Sequence, residues 1–565
     1  MLVRALELNS SSTIWNPERV VATLDLMEEV GYNTLVFHEV PVMEELVWPS
    51  KFFGADVEEG IHRRYREGYK QFYKYNPRRR PTPYHNLDYM RWVARRAAER
   101  GIAFYLNNKE LYFPDAILEL NPHLVKNGCV CPSEPFWEEF TEQKYDELFA
   151  DFPELTGTIT APGSGESRLA ISSSRCACEL CATQSPTEWY TRIINAMHRA
   201  ASRHGKHLVV RDFVFDKKAQ DELSEAMVSL PGDIAICLKN TPHDYYPTFP
   251  DNARIGQVGD HQEWIEFDGL GQYFGWGIVP AIMTADFRRR LDYARGLGAV
   301  GTLIRIDWEG LQGHSALKTT NALNVFACAM LSKNPETTNR EIYHAWAKHD
   351  GVLRPDLGFE AHEDALAWLE ETLESAWPIN ARTLFARDCV FSDSSYIPVS
   401  VEHAFWLAEE KNSLRDWDAS KNDLLTPTPE NVRIALAEKQ EAVELVGRLR
   451  ARVDAGHVAV DPRWLGEFRL RIQTFERYVK LYAAVATALF GTRHALVFGA
   501  EADADIVAAA HDGVTRMTAF ADELRALEPL GTYPAVLLLN PQRVEVLIED
   551  VVARLAESGA PAPTA

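Results

Sequence analysis

The chain has 565 residues, 46% of them hydrophobic and 25% charged, with a formal net charge of −22. This length exceeds what one hydrophobic core usually supports, so two domains are expected, although an α/β barrel alone takes about 250 residues. The acidic balance excludes a general phosphate-backbone or anionic-membrane partner, both of which attract lysine and arginine, and eight cysteines are too few for a disulfide scaffold.

The opening stretch MLVRALELNSSSTIW has one basic residue, and Glu7 and Asn9 interrupt its apolar character. It lacks the long apolar core of a secretory signal, so a cytoplasmic location is expected. No run approaches the roughly 20 apolar residues that span a bilayer.

In chain order, short apolar runs alternate with amphipathic stretches. The predicted strands are VRALEL (3–8), NTLVFH (33–38), IAFYL (102–106), GTIT (157–160), HLVVRDFVF (207–215), IAICLK (234–239), the stretch near ARIGQV (253–258) and VGTLIRI (300–306). The helix after the first strand starts at Pro17-Glu18 and closes at Gly31. The basic run Arg78-Arg79-Arg80, set among prolines, reads as a solvated loop. Eight βα units most simply close into a (β/α)8 TIM barrel, an α/β fold, over residues 1–325. An all-α C-terminal domain follows over 326–557. There Thr428-Pro429-Glu430 starts a helix that places Ala442, Leu445, Val446 and Leu449 on one face. The end, SGAPAPTA (558–565), has the composition of a disordered tail.

A barrel carries its chemistry at the carboxyl ends of its strands. Those ends are polar here: His38-Glu39, Asn107-Asn108-Lys109-Glu110, Glu166 in GSGES, Arg211-Asp212, Lys239 and Asp307-Trp308-Glu309. Each position alone could be a buried ion pair or a loop cap; their coincidence on one face points to a site. Hydrolysis of a glycosidic bond uses two carboxyl groups, one to protonate the leaving oxygen and one to activate water or attack the sugar. Glu166 is the acid candidate, flanked by glycines that let the backbone turn. Asp244, in KNTPHDYYPTFP, is the base candidate, and Tyr245 and Tyr246 beside it suit a sugar-binding wall. Glu263, Glu266 and Asp268 enlarge the carboxylate supply.

The stretches VVRDFVF, ICLKNTPHDYYPTFP and IEFDGLGQYFGWG resemble the strand-five to strand-seven region of the α-glucuronidases of glycoside hydrolase family 67, and IDWEGLQGH resembles that family's Asp-rich turn ending in Gly-His. The resemblance implies that Glu166 is the general acid of an inverting reaction and Asp244 one of two residues that activate water. Where the family has the second carboxylate, this chain has Gln272, followed by Tyr273; Asp244 then acts alone with Gln272 orienting the water, or Glu266 substitutes. The family's lysine for the uronic carboxylate corresponds here to Pro162, and its amino-terminal β-sandwich has no counterpart. Arg211 and Lys239 could anchor an anion or pair with a barrel carboxylate such as Asp212. Glu39, Lys109, Glu110, Tyr245, Tyr273, Asp307 and Trp308 complete the expected substrate contacts.

Cys129-Val130-Cys131 precedes the fourth strand and Cys176-Ala177-Cys178-Glu179-Leu180-Cys181 follows it. These thiols could hold a structural zinc that staples the Glu166 loop, with Cys178 and Cys181 as a CxxC half, or remain reduced or form a disulfide. No cofactor is expected for catalysis.

The expectation is an exo-acting, inverting glycoside hydrolase that removes a terminal sugar, uronic or neutral, from a short oligosaccharide, with no nucleic-acid or membrane partner. The helical domain could support a homodimer. Inversion would place the Glu166 and Asp244 carboxyls about 6.5–9.5 Å apart, retention about 5 Å. A retaining hexosaminidase-like enzyme would need adjacent acids after the fourth strand, where only Glu166 stands. A non-catalytic carbohydrate sensor is the alternative that Gln272 supports.

Overall fold

The computed structural model describes residues 1–38, 46–47, 83–214, 216–527 and 534–560. Glu39, the Arg78-Arg79-Arg80 run and residues 561–565 lie outside these. The chain forms two compact units. The first comprises Met1–His243, Asn252–Phe267 and Leu291–Gly313; the second comprises Asp244–Asp251, Asp268–Arg290 and His314–Ala565.

The first unit is built on a closed barrel of eight strands: β1 (Val3–Leu8), β2 (Thr34–His38), β3 (Ala103–Asn108), β4 (Gly157–Thr160), β5 (His207–Arg211), β6 (Ala235–Lys239), β7 (Glu263–Asp268) and β8 (Gly301–Arg305). Neighbours run in sequence order, and β1 closes the ring by pairing in parallel with both β2 and β8, Ala5 opposite Thr34 and Val3 opposite Gly301. Seven strands fall where the apolar runs place them. The seventh does not: residues 253–258 form turns, with Gly256 at φ +80°, and the strand is EWIEFD, ten residues later. Its three carboxylates disguise it as a loop, yet all six of its residues are buried.

One layer of the barrel interior contains Ala5, Val36, Ile159, Val209, Trp264 and Leu303. Small residues admit the large ones: a Cβ on Gly301 would lie 2.5 Å from the Trp264 ring, and one on Gly157 would lie 2.4 Å from the His207 carbonyl. Outer helices include α1 (Pro17–Val30), whose first turn is capped by the Asn16 side chain accepting from Arg19 N–H and whose end is turned by Gly31 at φ +99°.

The second unit is helical around α2 (Pro429–Ala455), α3 (Pro462–Phe498), α4 (Ala504–Leu527) and α5 (Pro541–Glu557). Thr428 caps α2 by accepting from Asn431 N–H. Ala442, Val446 and Leu449 of its predicted apolar face are buried and Leu445 half-buried. Helices α3 and α4 approach closely because glycines face the contact: a Cβ on Gly491 would lie 2.7 Å from Ala510, and one on Gly513 would lie 2.9 Å from the Ala488 nitrogen. Helix α3 and the turn after it are long and apolar enough to cross a membrane, but their apolar window is 78% buried, the environment of a core helix.

Candidate active site

Side chains alternate along a strand, so a residue two positions beyond a core residue faces the same way. Two positions beyond Ala5, Val36, Val209, Cys237 and Leu303 stand Glu7, His38, Arg211, Lys239 and Arg305, and two beyond Trp264 stands Glu266. The apolar layer is thus overlaid, at the carboxyl ends, by a layer of buried charge.

Within that layer Arg211 and Glu266 form a bidentate pair, Nε to Oε2 at 2.6 Å and Nη2 to Oε1 at 2.7 Å. Both are essentially buried. The carboxylate that engages Arg211 is therefore Glu266 of β7; Asp212 instead accepts from the Gln220 amide at 2.6 Å. Glu7 accepts from His38 Nδ1 at 3.0 Å and from the Asn107 amide at 2.8 Å. Burial alone would raise the Glu7 carboxyl, but His38, Arg211 and Asn107 outweigh it and hold it down at about 2. With Nδ1 committed to Glu7, the other nitrogen of His38, Nε2, is buried with no hydrogen-bond partner among the described residues. The sequence marked His38 only as a strand end; its pairing with a glutamate 31 residues earlier had no local signal.

Lys109, two residues past Asn107, donates to Glu166 and lies 3.8 Å from Glu309. Its side chain is 4% exposed, whereas that of Glu166 is 43% exposed, so the carboxylate reaches toward solvent from a buried ammonium. Phe213, which sequence reasoning did not single out, is the platform for three cations: Lys239 Nζ lies 4.2 Å from its ring centre, the Arg211 guanidinium 4.6 Å and Lys109 Nζ 5.3 Å. Glu110 is directed elsewhere. It is fully buried and accepts from Lys144 at 2.9 Å, Tyr145 at 3.0 Å, Asn108 at 2.7 Å and the Tyr112 N–H at 3.0 Å. Trp308 is half-buried, and its indole covers Gly310, where a Cβ would lie 2.5 Å from the ring.

Asp307 accepts from the Asn9 backbone N–H. Burial raises its carboxyl from 3.8 to about 7. The native state then holds a proton that the unfolded chain releases, so this contribution to stability is full below the unfolded value and disappears as pH rises to about 7. The difference amounts to on the order of 4 kcal/mol. Urea unfolding across this range should show wild-type stability falling relative to Asp307→Asn as pH rises; parallel curves would exclude the effect. Glu263 is likewise raised to about 7 by burial, but it starts β7, at the end of the barrel opposite the strand carboxyl termini, and is structural.

Asp244, Tyr245, Tyr246, Gln272 and Tyr273 belong to the second unit, whereas Glu166 belongs to the first. Asp244 accepts from the Tyr273 hydroxyl at 2.6 Å, and Tyr245 stacks near Tyr273 with ring centres 6.5 Å apart. Tyr246 donates to Asn412 at 3.0 Å. Gln272 donates to Ser394 at 3.1 Å. Its loop is shaped by Asp268, which accepts from the backbone N–H groups of Leu270, Gly271 and Gln272 at 2.7–3.2 Å.

Four of the five motif cysteines converge: the sulfurs of Cys131, Cys176, Cys178 and Cys181 lie within 4.8 Å of one another. Cys129 is outside this group.

No family model matches the chain, and no curated protein matches it. Among solved structures, a GH138 enzyme targeting pectin rhamnogalacturonan II aligns over 99% of this chain and 83% of its own, with TM-score 0.62 and 12% identity. A Thermobaculum terrenum O-GlcNAc hydrolase mutant aligns over 99% and 96%, with TM-score 0.43 and 12% identity. A β-N-acetylhexosaminidase from Bacteroides fragilis aligns over 62% and 70%, with TM-score 0.37 and 14% identity. The first likeness shows a shared fold, a TIM barrel followed by an all-α region.

Proposed function

We propose that this protein is a glycoside hydrolase that removes a terminal acidic sugar from a short oligosaccharide. The observation that carries this reading is the convergence of Lys109, Arg211 and Lys239 on Phe213, with Glu166 on Lys109. Arg211 is already matched by Glu266, so the attraction for an anion lies with Lys109, whose partner Glu166 reaches toward solvent. A uronic carboxylate would compete with Glu166 for the Lys109 ammonium, freeing the glutamate to protonate the leaving oxygen. The neighbour that targets pectin rhamnogalacturonan II and the family 67 resemblance make pectic and uronic oligosaccharides the first substrates to test.

In this reading Glu166 of the first unit is the general acid, and the family 67 resemblance alone supports Asp244 of the second unit, held by the Tyr273 hydroxyl, as the base that takes a proton from water. Both Glu266 oxygens are engaged by Arg211, which favours a positioning role for Glu266 over proton abstraction. Gln272 can orient water through its amide but cannot accept its proton. Inversion follows from this assignment, with no covalent intermediate. Gln272 equally favours a second reading, a barrel that binds an acidic sugar without cleaving it.

The test is a panel of aryl uronides, matched neutral aryl glycosides and pectic oligosaccharides, scored for sugar release and, by calorimetry, for binding. Release from uronides above neutral sugars is expected, with proton NMR showing inverted configuration in the first product. Saturable binding with no release would replace the hydrolase by the sensor; preference for neutral sugars would sink the acidic assignment.

A further inference from the structure

The cysteine cluster belongs to the first unit and has a geometry that the proposed hydrolysis does not use. Its sulfurs come from two parts of the chain. Residues Val125–Lys126 and Cys129–Val130 form a tight hairpin whose two turn residues, Asn127 and Gly128, have φ of 52° and 79°. An Asn-Gly pair is the preferred sequence for such a turn. The backbone N–H of Cys131 donates to Leu124 O at 2.8 Å, and Cys131 O accepts from the Trp137 indole at 2.8 Å, so the cysteine that leaves the hairpin is fixed on both sides. The other three come from the loop after β4. There Cys178 precedes the short helix Glu179–Thr183 and Cys181 lies within it, so one turn brings both sulfurs to the same side.

The Cys131 sulfur lies 3.4 Å from that of Cys178 and 3.5 Å from that of Cys181. With zinc–sulfur bonds of about 2.3 Å, tetrahedral sulfurs lie about 3.8 Å apart. All four sulfurs fall within 4.8 Å of one another, near enough to share one ion. We propose that Cys131, Cys176, Cys178 and Cys181 bind one zinc ion as four thiolates, releasing their thiol protons to solvent, and that Cys129 is not a ligand. Four sulfur ligands leave no open coordination position, so the metal is structural. Its place in the chain gives it a task. The segment between β4 and the cysteines carries Glu166 and is also tied down by exchanged backbone bonds between Leu111 and Leu169, 3.0 and 3.2 Å, by Ser167 donating to Glu110 O at 2.7 Å and by Arg168 donating to Phe113 O at 2.6 Å. The metal closes this long loop at its far end, as a crosslink does.

The full chain, purified with zinc supplied and then desalted, is analysed for metal by mass spectrometry. One zinc per chain is expected in wild type and in Cys129→Ser, and loss of nearly all of it in the Cys178→Ser/Cys181→Ser double variant. Should that variant fail to fold, wild type stripped by a chelator and titrated with Co(II) provides the second measurement, saturating at one equivalent with the near-ultraviolet absorption of thiolate-bound cobalt. Stripped protein should also be cleaved by protease between residues 161 and 185 several-fold faster than the loaded form. Metal-free wild type that takes up no cobalt overturns the proposal, as does a disulfide among these cysteines in the intact mass or equal zinc loss in Cys129→Ser. None of these readouts depends on sugar release.

Discussion

Replacing Glu166 by Gln is expected to lower kcat/KM on a uronide substrate by about 10²–10⁴-fold, the range by which a positioned general acid accelerates proton transfer. The change keeps the side chain's size and a hydrogen-bonding oxygen for Lys109 but removes the transferable proton. Substrates with highly acidic leaving groups should recover most of the lost rate, because they depart without protonation. That selective rescue separates a catalytic loss from a folding defect, which would depress all substrates alike. Asp244→Asn should lower the rate by a similar factor with no such rescue, since water activation is needed whatever departs. If Glu166→Gln retains full activity on a poor leaving group, the assignment of the acid is wrong.

The second large effect is expected in stability. Arg211 and Glu266 are buried with their charges matched by two hydrogen bonds. Removing one partner strands the other charge away from water, at about 3–5 kcal/mol. Glu266→Leu and Arg211→Met should each lower the urea midpoint by a corresponding amount, while the double variant Arg211→Met/Glu266→Leu should recover much of it, because the paired charges are removed together. Additive losses in this cycle would mean that the two residues act independently.

The sequence disclosed those features whose causes are local. Short apolar runs revealed seven strands, Pro17-Glu18 and Gly31 bounded a helix, and the CxxC spacing of Cys178 and Cys181 marked them as half of a metal site. Features set by distant partners were not legible. Glu266 looked like a candidate base because its partner lies 55 residues earlier, and Glu110 looked like a substrate contact because Lys144 lies 34 residues later. Strand β7 escaped for the same reason: a buried acidic strand is recognisable only once the cation that neutralises one of its glutamates is known. Phe213 read as one more apolar residue after a strand, since nothing nearby in the chain shows that two lysines and an arginine gather on it.

The interleaving of the two units bears on how such a protein can be inherited or engineered. The short excursion after β6 places Tyr246 against Asn412 and Thr248 against Asp388 O, and the longer one after β7 places Gln272 O against Ser395 and Phe274 O against Asn380. A gene truncated near codon 325, or a chimera that exchanged everything downstream of it, would orphan all four contacts at once. The carboxyl-terminal half is therefore not a detachable module, and recombination between homologues should be tolerated only where both excursions travel with it.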